Sequence, residues 1–173
     1  VFGDLKMENL IVTSRPIRLR WVDVGGTTLQ GRAIKEYTEF YDRAYWEAGD
    51  RKAEPRYDLF ALAMVILRLY YPSGFPKKSP ASRQLQQKAN TAIKNDALRK
   101  LVISLLQGRM NTAAEVRSYL LAAYHKDDRS HSITSSNRPD PSRMRQKEVE
   151  PYPITEASII FFSSGLFFVW LLL

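Results

Sequence analysis

The thirteen residues Asp58-Leu59-Phe60-Ala61-Leu62-Ala63-Met64-Val65-Ile66-Leu67-Arg68-Leu69-Tyr70 are apolar on nearly every face when wound as a helix. A helix without a polar side has no surface to give to water, so the rest of the fold must wrap it. It is too short to cross a bilayer core, which takes about 20 residues. The run therefore predicts a compact lobe built around one central helix.

Other elements can be placed around it. Leu10-Ile11-Val12 and Ile17 to Val22 read as two strands, with Thr13-Ser14-Arg15-Pro16 as the turn. The second alternates Arg18, Leu19, Arg20 and Trp21, the period of a half-buried strand. A basic amphipathic helix is predicted over Ser82 to Ile93, and another over Asp96 to Gln107. The latter has Asn95 as N-cap, an apolar stripe through Leu98, Leu101, Val102 and Leu105, and Gly108 for the left-handed position that ends it. Thr112 and Glu115 form a capping box for a last helix carrying Val116, Tyr119 and Leu120 on one face. The fold class is mainly α with a small β hairpin.

Composition divides the chain into three zones. Residues 1–123 are globular. Residues 124–156 are rich in Ser, Pro, Asn and charge without apolar periodicity, and read as a disordered juxtamembrane linker. Residues 157–173 are an uncharged apolar run, read as a single transmembrane helix. As a helix this run is about 25 Å long, slightly under a bilayer core of about 30 Å. Phe161, Phe162, Phe167, Phe168 and Trp170 leave it no polar face for lying flat on a membrane. Arg143, Arg145 and Lys147 assign the preceding segment to the cytoplasmic side.

The only histidines, His125 and His131, lie in polar sequence, and there is no cysteine. Histidine triads, histidine-based zinc sites and thiolate chemistry are therefore excluded as organising ideas. The net charge of +8 favours acidic partners. Much of the excess lies between Lys77 and Arg109, where Asp96 is the only acid. Lys88, Lys94, Arg99 and Lys100 are thus candidate contacts for anionic lipid or for non-specific DNA binding through the phosphate backbone. A solvated basic face accounts for the same residues equally well.

Three acidic motifs follow one another in order. Asp4-Leu5-Lys6-Met7-Glu8-Asn9 runs directly into the first strand, Asp23-Val24-Gly25 leaves the second, and Asp58 opens the apolar helix. The first resembles the protein-kinase catalytic loop, the second the metal-binding Asp-Phe-Gly turn, and the third the Asp that anchors the catalytic loop from below. The resemblance runs from Phe2 to about Leu121. It implies a protein-kinase C-lobe in which Asp4 accepts the substrate hydroxyl's proton and Lys6 neutralises the transferred phosphoryl group. Asn9 and Asp23 would then hold Mg2+ on ATP. Thr38 resembles the substrate-docking Thr that touches the catalytic Asp. The stretch from Gly31 to Arg43, together with the apolar tail, is similar to the membrane-anchored Hanks-type serine/threonine kinases of spore-forming bacilli. That likeness implies protein substrates and a single-pass location with the lobe on the cytoplasmic face of the cell membrane. The rest of the nucleotide cleft is expected upstream of Val1, and this stretch alone is expected to be inactive.

The chain departs from the kinase pattern in four places. Phe2-Gly3 stands where His-Arg is usual, so no Arg receives an activation-segment phosphate. Val24 replaces Phe. The segment from Gly25 to Thr38 is short. Ala-Pro-Glu is missing, its place falling near Ala44-Tyr45-Trp46 and that of its Arg partner near Met110, so both halves of that buried ion pair are expected to be apolar. Two alternatives stay open. An aminoglycoside-type small-molecule phosphotransferase also favours Gly before the catalytic Asp. A membrane-tethered pseudokinase scaffold would need none of Asp4, Lys6, Asn9 and Asp23.

Overall fold

The computed structural model describes residues 1–134, with side chains described to residue 126. After a 3-10 turn at Met7–Asn9, strands β1 (Leu10–Ser14) and β2 (Ile17–Trp21) pair antiparallel, with Leu10 opposite Trp21 and Ser14 opposite Ile17. A long irregular segment with a second 3-10 turn at Glu39–Tyr41 leads to four helices: α1 (Pro55–Tyr70), α2 (Ala81–Ala92), α3 (Asp96–Leu106) and α4 (Ala113–Thr134). The predicted architecture, mainly helical with one small hairpin, is the observed one.

Helix α1 is the axis of the lobe. It starts three residues before the apolar run because Pro55 suits a first helical turn, where its missing N–H is not needed. Tyr57 and every residue from Leu59 to Leu67 are buried. Helix α3 packs along α1, α2 packs on α3, and the Glu39–Tyr41 turn packs against α1. Each large aliphatic side chain so enclosed contributes about 1.5–3 kcal/mol by leaving water. Ala63 and Leu67 are fully inaccessible, so a charge at either would be left unpaired in the core.

The local end signals act as read. Asn95 caps α3 by accepting the Leu98 N–H at 2.9 Å. Gly108 takes the left-handed conformation, with φ of 63°. At α4, Thr112 accepts the Glu115 N–H at 3.2 Å, while the Glu115 carboxylate reaches past the cap to the Asn111 N–H at 2.8 Å. In β2, Leu19 and Trp21 are half-buried between exposed neighbours, as the alternation predicts. Helix α4 continues beyond Ala123, where composition ends the globular zone, to Thr134. Among the described residues no helix is long and apolar enough to cross a membrane. The expected anchor, residues 157–173, and the linker after residue 134 lie outside the described residues.

Candidate active site

The site is built where the chain enters the hairpin. Asp58, in the first turn of α1, accepts the backbone N–H of Phe2 at 2.7 Å and of Gly3 at 2.9 Å. One carboxylate on the most rigid element thus fixes the backbone just before Asp4. Burial pushes the Asp58 carboxyl up from its ordinary range, and the two N–H groups oppose that shift.

Gly3 is required at its position. Its φ is +80°, and a Cβ there would lie 2.8 Å from the Gly26 carbonyl oxygen. The turn after Asp23 therefore sits directly on the backbone at position 3, which leaves no room for the Arg usual there. A Cβ on Gly26 would in turn meet the Asp4 Cβ at 3.1 Å, so the two loops approach closely at Gly26.

Four of the residues singled out in the sequence converge. The Lys6 ammonium donates to Asp4 Oδ2. The Thr38 hydroxyl donates to Asp4 Oδ1 at 3.3 Å across 34 residues of chain. Asn9 is buried, and its amide nitrogen donates to the Asp4 carbonyl at 3.1 Å. Asp23 reaches the same end of the hairpin because the Val22 N–H donates to the Asn9 carbonyl at 3.1 Å, extending the β1–β2 ladder by one rung. The Asp23 carboxylate is exposed and accepts the Gly25 N–H at 2.8 Å; no hydrogen bond joins it to Asn9. Phe2 stacks on Trp21 with ring centres 4.2 Å apart, so Trp21 packs against the catalytic-type loop.

The basic residues behave differently. Lys88 lies on α2, Lys94 in the connection, and Arg99 and Lys100 on α3. Arg99 and Lys100 both pair with Asp96, the latter at 2.6 Å, so two of the four expected contact residues share one carboxylate, which offsets one of their two charges.

Sequence reasoning missed a second polar centre. Asp42 is completely buried and accepts from Arg51, from the Tyr57 hydroxyl at 2.9 Å, and from the backbone of Ala44 at 3.2 Å and Tyr45 at 3.0 Å. Burial and the adjacent Asp42 keep the Tyr57 phenol protonated far beyond its ordinary range. Beside it, buried Arg43 pairs with Glu54 at 2.7 Å and Asp50 at 2.9 Å. Of the two positions expected to be apolar, Trp46 is buried and Met110 is half-buried against the same core. The polar fastening of this segment lies a few residues upstream, at Asp42 and Arg43. The signal was available: opposite charges at 42, 43, 50, 51 and 54 cluster around an aromatic that must be buried.

A loop carrying Asp, Lys and Asn, braced from below by a helix carboxylate and closed above by a hairpin and a Thr, is the arrangement expected of the protein-kinase class. Comparison with known proteins agrees. Over 157 residues the chain is 44% identical to serine/threonine-protein kinase YabT of Bacillus subtilis (strain 168), a match covering 90% of this chain and 46% of that protein. The chain is thus YabT-like in sequence over nearly all its length, and it spans about half the length of the curated relative it matches. No protein-family model matches it.

Proposed function

We propose that the protein containing this chain is a serine/threonine protein kinase that moves the γ-phosphoryl group of ATP to protein hydroxyls at the cytoplasmic membrane face. The observation that carries the reading is the fixing of Asp4 by Thr38 and Lys6 above the Asp58 brace. Asp4 would accept the proton of the attacking hydroxyl and hold its oxygen in line with the phosphoryl group. Lys6, already on one Asp4 oxygen, would offset charge on the transferred group. Thr38 would set the second oxygen of Asp4 and the edge on which the substrate chain lies.

Asn9 and Asp23 fit a magnesium ion on ATP. The Asn9 amide nitrogen is committed to the Asp4 carbonyl, so its oxygen is the end left for a cation, and Asp23 adds a carboxylate at the same end of the hairpin. Among the described residues there is no cluster of three or more carboxylate, imidazole or thiol groups able to hold a metal alone. Asn9 and Asp23 would supply two oxygens, leaving the ion's other positions to phosphate and water oxygens. When bound, the ion neutralises the β- and γ-phosphate oxygens.

Membrane location would follow from residues 157–173 acting as the anchor. Any modulation by nucleic acid or anionic lipid would work through the remaining net charge, weakened where Asp96 takes up Arg99 and Lys100. Phosphoamino-acid analysis of a protein substrate, incubated with γ-labelled ATP and the full-length protein, tests the reading. Label on Ser or Thr is expected. Label found only on a small aminoglycoside-type acceptor, or no transfer at all, would favour the small-molecule or scaffold alternatives.

A further inference from the structure

A groove of about 400 Å³ opens between the connection after α1 and helix α2, lined by Tyr71, Phe75, Lys78, Gln84, Lys88 and Thr91 among others. Its walls are fixed. Gln84 accepts the Lys78 N–H and donates to the Pro76 carbonyl, both at 2.7 Å, and the Tyr71 hydroxyl donates to the Lys88 carbonyl at 3.2 Å. The Lys88 ammonium stands 4.3 Å from the Tyr71 ring centre and 5.0 Å from that of Phe75. Aromatic faces thus hold this cation in place without neutralising it.

Three neighbouring cations have an anion at hand. Lys77 pairs with Glu47 at 2.6 Å, while Arg99 and Lys100 share Asp96. Lys78 and Lys88, both on the groove, have no carboxylate partner among the described residues. The groove is also tied to the candidate active site. Phe75 packs edge-on against Phe40 with centres 5.2 Å apart, and Phe40 sits in the 3-10 turn that Thr38, the donor to Asp4, introduces.

We infer that this groove is a docking site for an acidic segment of the protein substrate, with Asp or Glu side chains on Lys78 and Lys88. Lys88, held over its two rings, and the exposed Lys78 on the same groove are two cations without a carboxylate partner among the described residues, and so are complementary to carboxylates on an extended chain. A nucleic acid fits less well. A base has no free ring face there, because Lys88 covers the two rings on which it would stack. The inference takes from the kinase reading only the identity of the ligand as a substrate.

Binding can be measured without ATP, on the full-length protein, by fluorescence anisotropy. The probes are a labelled Ser-containing peptide with a Glu cluster and its Gln-substituted twin. The Glu peptide is expected to bind at least about tenfold more tightly than the twin. Lys88→Glu and Lys78→Gln should each remove most of that difference, while Lys100→Glu leaves it. Lys78 is exposed, so its variant keeps the test independent of any folding defect in the other. Equal affinity for the two peptides, or affinity untouched by both groove variants, overturns the inference. Capture of a single-stranded oligonucleotide in place of the peptide, lost on the same substitutions, overturns it in favour of nucleic acid. If the Glu peptide binds as expected but no label is transferred from ATP, the kinase reading fails and the groove assignment stands.

Discussion

Arg51 closes on Asp42 through two nitrogens to one oxygen: Nε at 3.0 Å and Nη2 at 2.7 Å from Oδ2. The same guanidinium lies 3.8 Å from the centre of the Tyr37 ring, one residue before Thr38. The Arg51 carbonyl also accepts the Ile34 N–H at 2.8 Å. Arg51 therefore fastens both ends of the segment that presents Thr38 to Asp4.

Asp42 should dominate the stability of that fastening. Its side chain is fully buried, whereas 38% of the Arg51 side chain is exposed. Asp42→Ala leaves a buried phenol, two backbone N–H groups and a guanidinium without their acceptor, and should cost about 3–5 kcal/mol. Arg51→Ala should cost less, because three donors still satisfy the carboxylate and solvent already screens the pair. Urea midpoints of the two variants check the order; an equal, small effect would mean the cluster is not holding the segment.

Asp58 predicts a pH dependence. Its carboxyl is raised by burial, so the folded state holds its proton more tightly than the unfolded chain does. The stability from that difference is fully present below the ordinary carboxylate value and is lost as pH rises through the raised one. The gap between wild type and Asp58→Asn, from denaturant midpoints over a pH series, should be widest in acid and narrow toward neutrality. A gap that widens with pH would mean that the Phe2 and Gly3 N–H bonds outweigh burial.

Asp23→Ala, in the full-length protein, should weaken magnesium-dependent ATP binding at least about tenfold. Titration calorimetry with and without magnesium separates this from a general loss of nucleotide affinity. Unchanged Mg-ATP affinity would remove the Asp-Val-Gly turn from the site.

The anchor proposal rests on residues 157–173, whose uncharged apolar run ends behind a polar linker. The full-length protein should stay with membranes through a carbonate wash, and a variant cut after Glu156 should not. Recovery of the intact protein in the washed supernatant would end the integral-anchor reading.

Much of the fold was legible because its decisive signals are local. An apolar face all round dictated the burial of α1, and Asn95, Gly108 and Thr112 mark helix ends through their own backbone chemistry. The group around Asp4 was legible through resemblance, since nothing in the spacing alone brings Thr38 across 34 residues. The Asp42 centre was not read because its partners come from separate turns and no local spacing marks Tyr57 as a donor to Asp42. The steric need for Gly3 was equally hidden, since it arises from a carbonyl 23 positions away, at Gly26. Asp96 was counted as a lone acid in a basic stretch, but helical spacing puts Arg99 and Lys100 on it at three and four residues' distance.

The central claim is that Asp4 serves the attacking hydroxyl, and turnover of Asp4→Asn in the full-length protein tests it most directly. Asn keeps the size of the side chain but cannot take the proton. Label transfer from ATP to a protein substrate should fall by about 10²–10⁴-fold, with Mg-ATP affinity little changed, because Asp4 orients the nucleophile and does not hold the nucleotide. Transfer close to the wild-type rate, in a variant that folds and binds Mg-ATP normally, would contradict the account.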